Sequence, residues 1–352
     1  MTQDNIFTGR LAAPRMNMAP TAIMTDEIRR QMVERMVNGE NPDDVSRWLS
    51  IKGFPAQTIK EEVGRAVNDP FYQGSARMRT RLMKREWQSA IQRKLVELDP
   101  AAQEVPVETE LSPGDFLTRY YAAHRPVLLR GMIDHWPAMT KWSLDYFEAL
   151  FGDADVSVQW GRESNPEYER YKEAHRRVMP FAEVAARLRT GEPSNDYYVT
   201  AGNEDNRELL EPLWEDMGDL PGILEEQDGN GGFFWMGPEG TITPFHHDLT
   251  NNLLVQIRGR KKVKLVASHD TALMRNDRHC FSLWSGDDLP AGPPKRNKPR
   301  VIEVILGEGE ALFIPVGWWH HVEALDMTIG ASFTNFVWPN DHFSDYAAHG
   351  DM

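Results

Sequence analysis

The stretch from Thr243 to Asp248 reads Thr-Pro-Phe-His-His-Asp and decides how the rest of the chain is interpreted. Alternate residues of a β-strand face the same side, so His246 and Asp248 can point at one atom while His247 points away. An imidazole and a carboxylate are two of the three protein ligands in a facial metal site. The third ligand must come from elsewhere in the chain.

The best supplier of that ligand is the histidine pair after Trp318-Trp319, at His320 and His321. Adjacent residues of a strand face opposite sides, so only one of the two can bind the metal. Two imidazoles and one carboxylate on one side of a metal leave open positions opposite, the arrangement of non-haem Fe(II) oxygenases. The pattern therefore predicts a metal centre.

A lysine on the next predicted strand adds a second signal. Segments 232–241 and 251–265 are predicted strands with Gly-containing turns, and Lys261 shares a face with Val263 and Leu265. An inward ammonium is costly unless an anion meets it. The alternative is that these lysines form a solvated basic strand end. Burial of Val263 and Leu265 favours an inward Lys261. The anion that meets it could be a bound carboxylate.

Two segments, 243–265 and 309–322, resemble the Jumonji C (cupin-like) group of Fe(II)- and 2-oxoglutarate-dependent oxygenases. The subgroup they resemble most contains the asparaginyl hydroxylase that inhibits hypoxia-inducible factor. Segments 125–131 and 134–138 are similar to that group's opening strand and helix, and the resemblance extends over 111–339. It implies a mainly β catalytic domain, a double-stranded β-helix of cupin or jelly-roll type with flanking helices. The periodic apolar residues before this domain predict that an α-helical N-terminal domain precedes it.

The resemblance also implies the site residues. It makes Lys261 the clamp for the distal carboxylate of 2-oxoglutarate. The residues implied as iron ligands are His246, Asp248 and His320. The further polar residues implied to neighbour the cosubstrate or the iron are Thr243, Asn252, Tyr198 and Asn335.

Two points of that correspondence stay open. Tyr197 adjoins Tyr198, and a one-residue slip of the strand would exchange them. The subgroup often has an aromatic residue two positions after Asn335, whereas this chain has Val337. The valine at this position concerns the wall of the site that faces the substrate.

The function implied by the resemblance is an Fe(II)- and 2-oxoglutarate-dependent dioxygenase that hydroxylates a C–H bond of a protein or peptide side chain. Succinate and CO2 are the coproducts. A small-molecule hydroxylase and a non-catalytic cupin-like binding protein are the alternatives, and demethylation of methyl-lysine uses the same chemistry. A cupin without 2-oxoglutarate would not require an inward Lys261.

Composition limits the function further. The 352 residues suffice for two domains, and the net charge of -14 disfavours binding to nucleic acid or anionic membranes. No apolar run predicts a membrane span or a signal peptide at the amino terminus. The single cysteine, Cys280, excludes an internal disulfide and suits the cytoplasm.

The predicted organisation has three parts. Residues 1–20 are expected to form a flexible tail, 21–99 a helical bundle with a long linking helix, and 100–345 the catalytic domain. The bundle is expected to dock a substrate or to form a homodimer. Within the catalytic domain, 209–226 is acidic and predicts a surface helix and loop, and the insertion 269–300 predicts substrate entry or a subunit contact.

Overall fold

The computed structural model of the protein describes residues 22–200, 206–226, 232–276, 279–344 and 346. The chain divides into two compact units, Met1–Gln88 and Ser89–Met352. The predicted tail, 1–20, lies outside the described residues. Among the described residues, no helix is both long enough and apolar enough to cross a membrane.

Four helices form along the N-terminal part of the chain. They are α1 (Asp26–Val37), α2 (Pro42–Ile51), α3 (Ala56–Val67) and α4 (Pro70–Val96). The boundary between the two units lies inside α4, after Gln88.

The chain's own side chains cap these helices. Thr25 accepts a hydrogen bond from Ile28 N at 3.3 Å, and Asn41 caps α2 in the same manner. Asp69 accepts from Phe71 N at 2.7 Å, so α4 begins at Pro70. The core of this unit consists of residues from α1, α2, α3 and the turn before α3, including Met32, Met36, Val45, Leu49, Phe54 and Ile59.

Two β-sheets dominate the second unit. The larger sheet has the order β1-β2-β11-β8-β13-β6-β5-β3-β4, and the smaller has the order β10-β9-β12-β7. The strands are β1 (Val107–Glu108), β2 (Val127–Arg130), β3 (Asp155–Trp160), β4 (Arg176–Pro180), β5 (Tyr197–Thr200), β6 (Gly232–Gly237), β7 (Ile242–His247), β8 (Asn252–Arg258), β9 (Lys261–Val266), β10 (Ile302–Leu306), β11 (Glu310–Ile314), β12 (Trp319–Ala324) and β13 (Thr328–Phe333).

Apolar side chains join the two sheets face to face. Leu254 and Leu312 of the larger sheet pack in one cluster with Val263 and Leu265 of the smaller. The other face of the larger sheet packs against helices α5 (Pro113–Phe116), α6 (Ala138–Lys141), α7 (Leu144–Phe151), α8 (Phe181–Leu188) and α9 (Arg207–Leu210). The architecture is a β-sandwich with flanking helices, as the sequence predicted.

The acidic segment 209–226 is not the surface helix and loop that its charges suggested. Its apolar residues join the core, and the Asp216 side chain is only 2% exposed. The Asp216 carboxylate accepts hydrogen bonds from Lys141 Nζ at 2.5 Å, Trp142 Nε1 at 3.2 Å and Tyr146 Oη at 2.6 Å. This carboxylate fastens the segment to α6 and α7, and the bond from Tyr146 raises the pKa of that tyrosine to about 12.

Replacing Asp216 with alanine is expected to lower the free energy of unfolding by about 3 kcal/mol, because it leaves the buried Trp142 N–H without an acceptor. Urea unfolding of the full chain measures the change. The matched control is Asp219→Ala, which removes another acidic residue of the same segment. A loss below about 1 kcal/mol for Asp216→Ala would show that this anchor is dispensable.

The insertion between β9 and β10 covers the outer face of the smaller sheet. Met274, Trp284 and Leu289 pack there against Phe245 and Trp319. Because of this cover, Lys264 is 8% exposed and donates from Nζ to Gly286 O at 2.7 Å. The sequence identified only Lys261 as a buried lysine of this strand; the structure buries Lys264 as well, on the opposite face.

Candidate metal centre

Pairing of two strands in the smaller sheet brings the histidines together. His320 of β12 lies opposite His246 of β7, and their ring centroids are 4.1 Å apart. Asp248 follows directly after β7. Its Oδ1 lies 3.6 Å from His246 Nε2, and its Oδ2 lies 3.7 Å from His320 Nε2.

These three side chains can offer ligand atoms that all lie within 4.8 Å of one another. In the described part of the chain, this is the one cluster of three or more His, Cys, Asp or Glu side chains with that property. Two imidazole nitrogens and a carboxylate are ligands that suit a first-row transition metal and leave its other positions free.

Backbone carbonyls fix the tautomer of both imidazoles. His246 Nδ1 lies 2.9 Å from Pro244 O, and His320 Nδ1 lies 3.0 Å from Trp318 O. A carbonyl oxygen only accepts, so each Nδ1 carries the hydrogen and donates it. Each Nε2 is left with a lone pair directed at the cluster, the form that binds metals.

The charge states of the cluster also suit a cation. Burial lowers the pKa of His320 to about 4, so its imidazole is neutral at neutral pH. Burial alone would raise the pKa of Asp248, but His320, His246 and a hydrogen bond from Asn252 Nδ2 at 3.0 Å together lower it. The centre combines the imidazoles of His246 and His320 with the carboxylate of Asp248.

A β-bulge adds a further polar side chain. The register between β12 and β7 shifts by one residue between the pairs His320↔His246 and Val322↔Thr243. The extra residue lets Thr243 line the same cavity as His246, although strict alternation would put the two on opposite faces. Pro244, which has no N–H, lies within this bulge.

The cluster opens into a cavity with about 490 Å³ of space between protein atoms, part of it open to solvent. Lys261 contributes to the wall and is itself only 3% exposed. The residues around this space are Tyr198, Trp235, Thr243, His246, Asp248, Asn252, Leu254, Lys261, Ile314, His320, Val322 and Ser332.

Lys261 has no hydrogen-bond or ion-pair partner among the described residues, and burial lowers its pKa to about 8. At neutral pH it is still mostly protonated, so a buried ammonium faces the cavity without an anion. A carboxylate bound in the cavity would supply that anion.

The two neighbouring tyrosines of β5 have different surroundings. Tyr198 lines the cavity and stacks on Trp235, with the ring centroids 5.8 Å apart. Tyr197 belongs to the core on the other face of the sheet. Of the two registers that the sequence allowed, the structure has the one in which Tyr198 faces the cavity.

Asn335 is not among the residues that line the cavity. Strand β13 ends at Phe333, and Asn335 then pairs with the backbone of Glu225: Nδ2 donates to Glu225 O at 3.1 Å, and Asn335 O accepts from Glu225 N at 2.8 Å. Ser332, three residues earlier, lines the cavity and accepts from Trp235 Nε1 at 3.0 Å. No sequence pattern indicated Ser332 or Trp235, because neither stands next to a metal-ligand pattern.

His321 faces away from the cavity, as strand alternation requires. Its ring lies under the insertion, where a Cβ added at Gly286 would lie 2.4 Å from His321 Nε2. His321 is therefore a buried residue of the outer face. Close approach of the insertion to strand β12 explains a glycine at position 286.

The sandwich, the cluster and the buried lysine define a cupin-type protein with a candidate metal centre. The chain belongs to the cupin-like domain family, whose match covers residues 113–341.

Curated relatives cover the same part of the chain. Lysine-specific demethylase JMJ30 of Arabidopsis thaliana is 31% identical over 251 residues, 66% of this chain and 54% of the relative. Lysine-specific demethylase 8 of Xenopus tropicalis is 33% identical over 230 residues, 62% of this chain and 49% of the relative. The human tRNA wybutosine-synthesizing protein 5 is 26% identical over 259 residues, 68% of this chain and 79% of the relative. The chain thus spans about half the length of the two demethylases.

Proposed function

We propose that the protein is an Fe(II)- and 2-oxoglutarate-dependent dioxygenase that hydroxylates a C–H bond of a protein or peptide side chain. The observation that carries the proposal is the unpaired ammonium of Lys261 in the same cavity as a two-histidine, one-carboxylate cluster. A metal centre alone would not need a buried cation nearby. A dicarboxylate that binds the metal at one end and Lys261 at the other accounts for both features.

The residues fit the iron. His246 and His320 each present an Nε2 lone pair, and Asp248 presents a carboxylate that Asn252 orients. Iron held there would supply the chemistry that activates O2 at the expense of the 2-oxo acid.

The remaining residues of the cavity would bind and orient the cosubstrate. Lys261 would pair with the distal carboxylate, and the hydroxyl groups of Thr243 and Tyr198 would be available to donate hydrogen bonds to it. Burial raises the pKa of Tyr198, so its hydroxyl stays protonated and able to donate. Leu254, Ile314 and Val322 would exclude water around the methylene groups of 2-oxoglutarate.

The substrate class is the finer part of the proposal. The demethylase names of two relatives favour a protein side chain, and removal of an N-methyl group begins with hydroxylation of its C–H bond. The tRNA-modifying relative makes a nucleotide the second candidate, but the net charge of -14 disfavours it. The resemblance to the asparaginyl hydroxylase subgroup makes an asparagine side chain one target to test. Homodimer formation and a cytoplasmic location stay predictions.

The proposal predicts how turnover depends on pH. Because the pKa of Lys261 in the free protein is about 8, kcat/KM for 2-oxoglutarate should fall as pH rises through that value. A bound carboxylate stabilises the ammonium, so kcat should begin to fall only at higher pH. Initial rates of succinate release between about pH 7 and pH 10 measure both profiles. A kcat/KM that stays constant over this range would contradict a charged Lys261 in cosubstrate binding.

Turnover tests the proposed function. The full chain is loaded anaerobically with Fe(II), then given 2-oxoglutarate, O2 and a pool of cell-extract peptides, and succinate is measured. Succinate release with a mass gain of one oxygen atom on a peptide supports hydroxylation, whereas loss of a methyl group with formaldehyde identifies demethylation. No succinate from a filled iron site would exclude the oxygenase and favour a binding role.

A further inference from the structure

One turn of the backbone contacts two of the three candidate ligands. This turn, 315–318, precedes β12, and Gly317 N donates to Asp248 O at 3.0 Å. His320 Nδ1 donates to Trp318 O at 3.0 Å. Gly317 has a φ of 73°, a left-handed conformation that glycine adopts without strain. A shift of this turn would therefore move Asp248 and His320 together.

The peptide groups of Val316 are held from both sides. Val316 N donates to Asn251 Oδ1 at 2.9 Å, and Val316 O accepts from His124 Nε2 at 2.6 Å. Asn251 is in turn fixed by Asn340, whose Nδ2 donates to Asn251 O at 2.9 Å. Of these three residues that hold the turn, only His124 precedes β7 in the sequence. It lies 192 positions before Val316.

A second hydrogen bond joins His124 to the turn. Trp318 Nε1 donates to His124 O at 3.1 Å, so His124 contacts the turn through both its side chain and its backbone. His124 also has a φ of 55°, which is uncommon for a residue other than glycine. Such a conformation is strained and persists where surrounding contacts determine it.

The imidazole of His124 is in the form that this contact requires. Burial lowers the pKa of His124, so the ring is neutral and carries one hydrogen. A carbonyl oxygen only accepts, which assigns that hydrogen to Nε2. The ring therefore donates to Val316 O as a neutral group.

We propose that His124 is a positioning residue of the metal centre, which it aligns by holding Val316 and Trp318 in place. The inference rests on the metal site of the proposed function. Without the Nε2–H donor, Val316 O loses its hydrogen bond from His124 and the turn is free to shift. Outer residues that orient metal ligands typically contribute 10- to 100-fold to metal affinity, and an effect of about that size is expected here.

The test measures binding of Co(II) alone to the metal-free full chain, by titration and by the visible absorption of the bound Co(II). His124→Leu removes the donor, and His124→Gln keeps an N–H at a similar reach. Both variants place a residue other than glycine at the same left-handed backbone position. The difference in Co(II) affinity between them therefore isolates the effect of the hydrogen bond. We expect His124→Leu to weaken Co(II) binding about 10- to 100-fold and change the absorption spectrum, and His124→Gln to recover most of the affinity.

Matched controls separate positioning from general stability. His175 is a buried histidine whose ring nitrogen also lies near a backbone carbonyl, with Nδ1 3.2 Å from Trp160 O. His175→Leu should leave the Co(II) affinity and spectrum unchanged. Wild-type Co(II) affinity and spectrum in His124→Leu, or equal losses in the Leu and Gln variants, would overturn the proposal.

A second pair of variants serves if His124→Leu does not fold. Trp318→Phe removes the indole N–H that donates to His124, and we expect a loss of several-fold in Co(II) affinity. Trp284→Phe is its control, because Trp284 Nε1 donates to a backbone carbonyl of the insertion, Leu273 O, at 2.8 Å. Equal Co(II) affinities in these two variants would also overturn the proposal.

These measurements do not depend on turnover. A protein that binds Co(II) in a His124-dependent manner but releases no succinate would support the positioning role and contradict the proposed oxygenase. Succinate release, together with a Co(II) affinity that does not change when His124 is replaced, would support the proposed oxygenase and contradict the positioning role.

Discussion

Replacing Lys261 with methionine is expected to raise the KM for 2-oxoglutarate by about 100-fold or more and to leave Fe(II) affinity within a few-fold. Methionine keeps the length and apolar character of the side chain but removes the charge. A carboxylate left in the cavity would then lack a counter-ion, which costs about 3–5 kcal/mol for a buried pair. Each 1.4 kcal/mol corresponds to about tenfold in affinity. Succinate release against 2-oxoglutarate concentration measures KM.

Lys262→Met is the matched control, because Lys262 is the next residue of β9 and its Nζ lies 2.6 Å from Glu323 Oε2, away from the cavity. The control should keep a wild-type KM. Equal KM values for Lys261→Met and wild type would remove Lys261 from cosubstrate binding.

The thermal stability of Lys261→Met tests the charge of Lys261 without any ligand. The pKa of Lys261 is lowered from 10.5 to about 8, so folding disfavours its charged form. The destabilisation is complete below about pH 8 and disappears as pH rises above the unfolded value of 10.5. At pH 7, the metal-free Lys261→Met variant should therefore have a higher Tm than wild type, and this difference should shrink at high pH.

Loss of any one candidate ligand is expected to abolish metal binding in practice. Asp248→Asn keeps the shape of the side chain but removes its charge, and His320→Leu removes an Nε2 lone pair. Each should weaken Fe(II) and Co(II) binding more than about 100-fold, since changes to residues that only support ligands already cost 10- to 100-fold. Titration of the metal-free protein measures the affinity, and succinate release should disappear in parallel.

The control for these ligand variants is His247→Leu. His247 is the neighbour of His246 in β7, and its ring packs edge-on against Trp319, with centroids 4.7 Å apart. This variant should bind metal with near wild-type affinity. If it lost the metal as completely as Asp248→Asn does, the assignment of faces in β7 would be wrong.

The sequence predicted the parts of the site that follow from strand alternation. Alternation in one strand related His246 to Asp248, and in another it related Lys261 to Val263 and Leu265. These are local relations that depend only on the strand being formed. The structure brings His246, Asp248 and Lys261 to one cavity, and strand pairing adds His320 opposite His246.

The parts that strand alternation alone does not predict depend on departures from regular strands or on distant contacts. Thr243 reaches the cavity through a bulge that alternation does not include. Asn335 lies beyond the end of β13, where the regular pattern no longer applies. Asp216 stands among other acidic residues, and only its partners on α6 and α7 show that it is buried.

Burial of Lys264 is a further feature that local sequence patterns do not predict. Alternation places Lys264 on the face opposite Lys261, but the exposure of that face depends on where the insertion lies. The contact between Lys264 and Gly286 spans 22 positions of the chain, and no local pattern indicates it. Insertions are therefore the regions where sequence patterns say least about burial.

The most direct test of the central claim is anaerobic titration of the Fe(II)-loaded protein with 2-oxoglutarate, followed by the visible charge-transfer band that forms when a 2-oxo acid chelates Fe(II). The claim is that the histidine–aspartate cluster and Lys261 form one site for both groups. We predict a saturable band in wild type, no band in His320→Leu, and a band in Lys261→Met only at about 100-fold higher 2-oxoglutarate or more. A wild-type protein that binds Fe(II) but develops no band, or a Lys261→Met titration identical to wild type, would contradict the claim.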